Sequence, residues 1–156
     1  MLFRSKLARR VDDPGLRARY HVANAWRYYR SGDHNQVRKH LSLAGDELQY
    51  AADKGMASLI AERRALELSQ RRQYDEALNL FGEALEGYLA VGNYDHIQSC
   101  AGNLGNALHR MGEEHYEEAR NWLLLSVKVC RLMRIGRDDC LNERSEERRV
   151  GKECRL

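Results

Sequence analysis

The side chains capable of catalysis or metal binding are scattered along the chain. Six histidines occur, His21, His34, His40, His96, His109 and His115, and none falls in the HxH or HExxH spacing that brings two imidazoles onto one metal ion. The four cysteines, Cys100, Cys130, Cys140 and Cys154, show no CxxC spacing, so neither a metal knuckle nor a disulfide framework is predicted. All four are expected as reduced thiols, with Cys100 and Cys130 as small core residues. The acidic pairs Glu113-Glu114 and Glu117-Glu118 have the residue types of a general acid and base, but they stand where a helix begins and complement its dipole. Gly102, Gly105 and Gly112 form no phosphate loop, because Gly105 falls within a helical pattern and not between a strand and a helix. The sequence therefore predicts no catalytic residue, no metal, no cofactor and no enzyme.

The elements that carry these residues are predicted to be helices. A single proline, Pro14, occurs in 156 residues, and Ala, Leu, Glu and Arg dominate over β-branched types, which favours an all-α chain. The length fits one domain with a real core. No apolar run approaches the roughly 20 residues that cross a bilayer. The basic residues Arg4, Lys6, Arg9 and Arg10 are followed by no apolar stretch, so no secretory signal is predicted and a cytoplasmic location is expected.

The net charge of +3 raises the question of a polyanionic partner, and its placement answers it. Leu2-Phe3-Arg4-Ser5 and Arg144-Ser145-Glu146-Glu147 can be encoded by opposite strands of one sequencing adaptor. Residues 1–5 and 144–156 resemble translated adaptor sequence and are set aside from fold reasoning. They hold six of the 26 Lys+Arg and three of the 23 Asp+Glu, which leaves 20 of each. Nucleic acid is thus not the expected partner, since such a domain normally shows a net basic face.

Three segments repeat in phase: Gly32-Asp33-His34-Asn35-Gln36-Val37, Arg72-Gln73-Tyr74-Asp75-Glu76-Ala77 and Glu114-His115-Tyr116-Glu117-Glu118-Ala119. The period is about 40 residues. Apolar residues follow each turn at helical spacing, as in Ala77, Phe81, Ala84, Leu85 and Tyr88, and another helix precedes it. Six helices are predicted, over about 15–30, 34–53, 56–71, 74–91, 94–111 and 116–134. Gly55, Gly92 and Gly136 are expected to close the second helices in the left-handed conformation.

This pattern resembles the tetratricopeptide repeat, in a longer-helix variant whose period exceeds the usual 34 residues. Asn103-Leu104-Gly105-Asn106-Ala107-Leu108-His109-Arg110-Met111-Gly112 is close to the family's first helix and turn. Tyr74-Asp75-Glu76-Ala77 with Phe81 and Ala84 matches the turn and second helix, while Val37 replaces the usual Ala in the first copy and the closing proline is missing throughout. The resemblance implies an α-solenoid of three helix-turn-helix repeats in a domain over 15–135, with repeats at about 15–54, 56–92 and 94–135. A truncated fourth unit is expected to begin at 136–143. It further implies a non-catalytic protein-binding module, a fragment of a longer protein, with a sensor or regulatory array of a signalling or transcription-regulating protein as the alternative. In the family the first helices line a concave groove, here Arg19, Trp26, Tyr29 and Arg30, then Glu62, then Asn106, His109 and Arg110; Val22, Leu66, Ser69 and Gln70 stand beside them. Such a groove suits a peptide or helix with acidic and apolar residues. Self-association through exposed ends of the array is also expected.

Overall fold

Polar residues punctuate the chain at positions 13, 33, 53, 73 and 93, each time as the residue before a helix. The Asp13 carboxylate accepts from the amides of Gly15 at 2.8 Å and Leu16 at 3.2 Å. Asp33 accepts from Gln36, Asp53 from Met56 and Asn93 from His96, at 3.1, 3.0 and 3.3 Å. Each side chain satisfies amides that the first helical turn leaves without a partner. Gln73 makes no such bond; Asp75 and Glu76 in the following turn supply the negative charge instead.

The computed structural model describes residues 13–51 and 53–133. The helices are α1 Pro14–Ser31, α2 His34–Leu48, α3 Lys54–Gln70, α4 Tyr74–Val91, α5 Tyr94–Met111 and α6 Tyr116–Met133. A single 3-10 turn, Glu113–His115, precedes α6 and absorbs the additional Glu-Glu pair of the third repeat. No strand occurs among the described residues, so the chain is all-α. The adaptor-like ends and the unit expected at 136–143 lie outside the described residues, as does Gly136.

Two expectations are corrected. Helix α2 stops at Leu48, not near residue 53, because Asp53 must be extended (φ −108, ψ 95) to cap α3. For the same reason Gly55 lies in the first turn of α3 and not beyond the end of α2. The left-handed caps are Gly32 after α1 and Gly92 after α4, at φ 77 and 67.

Each helix packs most extensively on its chain neighbour within the pairs α1–α2, α3–α4 and α5–α6, and α2–α3 and α4–α5 join the pairs. The first helices also touch directly, α1 with α3 and α3 with α5, and so share one face. A central core around Phe81, Tyr88, Cys100 and Leu108 spans α3 to α6. Smaller clusters around Ala18 and Ile60, and around Val37 and Leu41, fill the space between α1, α2 and α3.

Ala25, Ala65 and Gly105 hold the same place in the three first helices and are all buried. Gly105 permits the closest approach: a Cβ there would lie 2.8 Å from Leu123 Cγ and 3.0 Å from the Ala119 carbonyl oxygen. Gly82 in α4 has open space where its Cβ would be. Chemical denaturation should separate the two. Gly82→Ala is expected to gain up to about 1 kcal/mol from helix propensity, whereas Gly105→Ala is expected to lose about 1–3 kcal/mol to overpacking despite the same gain.

Candidate functional site

The shared face of α1, α3 and α5 is held together by side chains that cross between these helices. On α1, the Trp26 and Tyr29 rings stack at 5.3 Å with an interplanar angle of 11°. The Arg63 guanidinium of α3 lies over the Trp26 ring, 4.2 Å from its centroid, a favourable cation–π placement. Gln70, at the end of α3, donates to the Tyr29 hydroxyl at 2.8 Å. Trp26 remains 39% exposed, and with Ala23, Arg27, Arg30 and Ser31 it lines a shallow open depression.

Between α3 and α5 the link is a buried carboxylate. Glu62 is 0% exposed. Its Oε2 accepts from the Tyr88 hydroxyl of α4 at 2.9 Å, and its Oε1 accepts from the Asn103 amide of α5 at 3.0 Å. Ser99 Oγ stands at 3.5 Å and His96 Nδ1 at 3.8 Å, with the His96 ring stacked on Tyr88 at 4.9 Å between centroids. Burial works to raise the Glu62 carboxyl. Hydrogen bonding from His96 and Tyr88 and the positive charge of Arg63 outweigh it and hold the group below its ordinary 4.5. The Tyr88 hydroxyl is pushed far above its ordinary value by burial and by the adjacent Glu62 charge. Burial likewise pushes the Cys100 thiol up, which leaves it protonated and unreactive at neutral pH.

Glu67 is the second buried carboxylate of α3. It turns toward α2, where Arg38 meets it at 2.9 Å, with Arg71 at 3.9 Å and His34 at 4.0 Å.

The structure brings part of the expected set together. Trp26, Tyr29 and Arg30 stand on one face of α1, beside Arg63 and Gln70. Arg19 is exposed and pairs with Asp53 at 3.6 Å. Asn106 is half-buried on α5, His109 stacks on Tyr116 of α6 at 4.9 Å, and Arg110 is exposed. Glu62 lies inside the fold and not along an open wall, because its position in α3 faces Tyr88 and Asn103. Val22 and Ser69 are also buried. Cys100 is a free buried thiol, but Cys130 is disulfide-bonded, which corrects the expectation of a reduced thiol there.

The sequence reading missed Arg63. Charge counted helix by helix is the signal that finds it. Helices α1, α3 and α5 carry eight Lys+Arg against three Asp+Glu, whereas α2, α4 and α6 carry five against eight. The balance of the whole chain conceals this division. Of the three acids on the first helices, Glu62 and Glu67 are buried and only Asp95 is exposed.

A histidine pair sits apart from this face, between α1 and α2. His21 Nδ1 and His40 Nδ1 are 3.0 Å apart, and His40 stacks on Tyr28 at 5.4 Å. Burial lowers His21 despite the opposing attraction of Glu47. Burial also lowers His40, helped by the charges of His21, Lys39 and Arg27. Two protonated imidazoles at this distance would have no acceptor between them.

No helix among the described residues is long and apolar enough to cross a membrane. No family model, no curated protein and no solved structure matches the chain.

Glu62→Gln keeps the volume but puts an amide donor against the donors of Asn103 or Tyr88. It is expected to lower unfolding free energy by about 1–3 kcal/mol in urea titration, and Glu62→Ala by about 3 kcal/mol or more. The histidine pair has its own pH signature. Both groups are lowered on folding, so the unfolded chain binds more protons in acid. Their contribution is fully present above the ordinary value of 6.5 and is lost as pH falls through the lower folded values. Urea midpoints measured from about pH 7 to about pH 5 should therefore fall, and the fall should be smaller in the double variant His21→Asn, His40→Asn.

Proposed function

We propose that this chain is a non-catalytic protein-binding module of the tetratricopeptide kind, whose face of α1, α3 and α5 holds a segment of a partner protein. The observation that carries the reading is the in-phase arrangement of the helix pairs. Helix starts recur at a constant interval through position 93, and Ala25, Ala65 and Gly105 occupy the close-packed place in successive first helices. That arrangement sets three first helices side by side with equivalent residues aligned. Its other support is the character of the face itself. Trp26, Arg30, Asn106 and Arg110 reach solvent from it, and aromatic and arginine side chains are the types most enriched at the centres of protein interfaces.

The fold alone would not assign this role, since many folds host unrelated functions. The site is what favours binding over chemistry: the most perturbed groups, Tyr88 and Cys100, are sealed within the core and hydrogen-bonded to the buried Glu62 and to backbone respectively.

Panning a random-peptide display library against the folded chain, followed by amide hydrogen exchange with the selected peptides, tests the reading. Protection is expected on α1, α3 and α5, and the double variant Arg30→Ala, Arg110→Ala should bind those peptides at least about tenfold more weakly, a change of about 1.4 kcal/mol. Protection confined to α2, α4 and α6, with affinity unchanged in the variant, would exclude this face.

A further inference from the structure

We infer that the partner segment held by the α1–α3–α5 face is acidic, and that its carboxylates meet Arg63 and Arg30 beside Trp26. This inference rests on the protein-binding reading and names the chemistry of the ligand. Its first ground is the charge division between the two sets of helices. Of the eight basic side chains on α1, α3 and α5, Arg17 and Arg64 reach α2, at Glu47 and the Leu41 carbonyl, and Arg19 pairs with Asp53, while Arg63 and Arg30 lie beside Trp26; of the three acids on these helices Glu62 and Glu67 are buried, and Asp95 in the first turn of α5 is exposed. Oriented fields of this kind steer and select a ligand of opposite sign.

The second ground is which arginines already have partners. Arg17 pairs with Glu47 at 2.8 Å, Arg38 with Glu67 at 2.9 Å, Arg19 with Asp53 at 3.6 Å and Arg120 with Glu117 at 3.6 Å. Arg63 has no carboxylate within ion-pair distance among the described residues, and its Nε is buried with no hydrogen-bond acceptor. Nor does Arg30 face an acid among them. The Glu62 carboxylate feels the Arg63 charge but lies in the core, hydrogen-bonded by Tyr88 and Asn103, and makes no ion pair with it. The Arg63 guanidinium carbon lies 4.2 Å over the centre of the Trp26 ring, a contact that restricts the side chain before a ligand arrives, so less rotamer freedom is lost on binding. A planar guanidinium held in this way receives a carboxylate through two parallel hydrogen bonds.

Phosphate would satisfy the same arginines, but the aromatic arrangement favours protein over single-stranded nucleic acid. Base stacking requires an open ring face. Tyr29 and Arg63 both already lie against the Trp26 indole, and what remains exposed suits contact with an apolar side chain.

The test uses the folded chain and two probes: the peptides selected from a random display library, and a fluorescein-labelled single-stranded polynucleotide. Selected peptides are expected to be enriched in Asp and Glu, to lose at least about tenfold in affinity when their acids are changed to Asn and Gln, and to lose a similar factor on Arg63→Ala. Arg63→Lys should recover only part of it, because a lysine keeps the charge without the planar fork. Arg120→Ala, on α6, should leave affinity unchanged. Circular dichroism and urea midpoints identify any variant that fails to fold, and Arg30→Ala then carries the same test. Neutral or basic peptides that protect α1, α3 and α5 would overturn the acidic assignment and leave the module reading standing. Peptides that bind elsewhere would overturn both. Tighter binding of the polynucleotide than of any selected peptide, lost in Arg63→Ala, would overturn the assignment to protein.

Discussion

The arrangement of the central helices depends on one buried charge. Glu62 is fully enclosed, and a carboxylate removed from water costs several kcal/mol unless its oxygens are hydrogen-bonded. Here the donors come from two other helices, Tyr88 from α4 and Asn103 from α5. The charge is tolerable only while α3, α4 and α5 keep their present relation, so it acts as a constraint on how the second repeat meets the third. A hydrophobic residue at this place would pack without demanding any particular partner. The carboxylate demands specific ones, a use of buried polarity that trades stability for a defined arrangement.

That constraint also fixes the external face. Glu62 and Arg63 are adjacent on α3, one pointing inward to the donors of α4 and α5 and the other lying over Trp26 of α1. Anchoring the first therefore orients the second. Glu67 repeats the device one helix surface away, where it gathers Arg38, Arg71 and His34 and joins α3 to α2. The two acids of α3 are thus consumed inside the fold, and the surface formed by the first helices is left basic. Distribution of charge between inside and outside, more than its sum, gives the face its character.

Much of the fold was legible in the sequence because it is written in local signals. Asp13, Asp33, Asp53 and Asn93 are capping residues at regular intervals, Ala77, Phe81, Ala84, Leu85 and Tyr88 repeat at helical spacing and are all buried, and all six helix starts lie within two residues of the predicted ones. The end of α2 was misplaced because residues up to 53 are compatible with helix, and only the demand of Asp53 as a cap stops it. The site was less legible. Positions that line the first helices follow from the repeat, and Trp26 lies beside Tyr29 and Arg30. Whether a residue at such a position points outward depends on partners remote in sequence. Glu62 turns inward because Tyr88 and Asn103 wait there, 26 and 41 residues away, and no local pattern announces that. Arg63 was passed over for the complementary reason: its role comes from a ring on another helix.

The most direct test of this account is a carbon-detected NMR titration of the Glu62 side-chain carboxyl, assigned by its absence in Glu62→Gln. Hydrogen bonds that outweigh burial require the group to titrate below its ordinary 4.5, with Tyr88 and Asn103 signals moving together with it. A midpoint above that value would mean that burial prevails over the hydrogen bonds, and one above about 7 that the carboxyl is neutral and no charge ties α3 to α4 and α5.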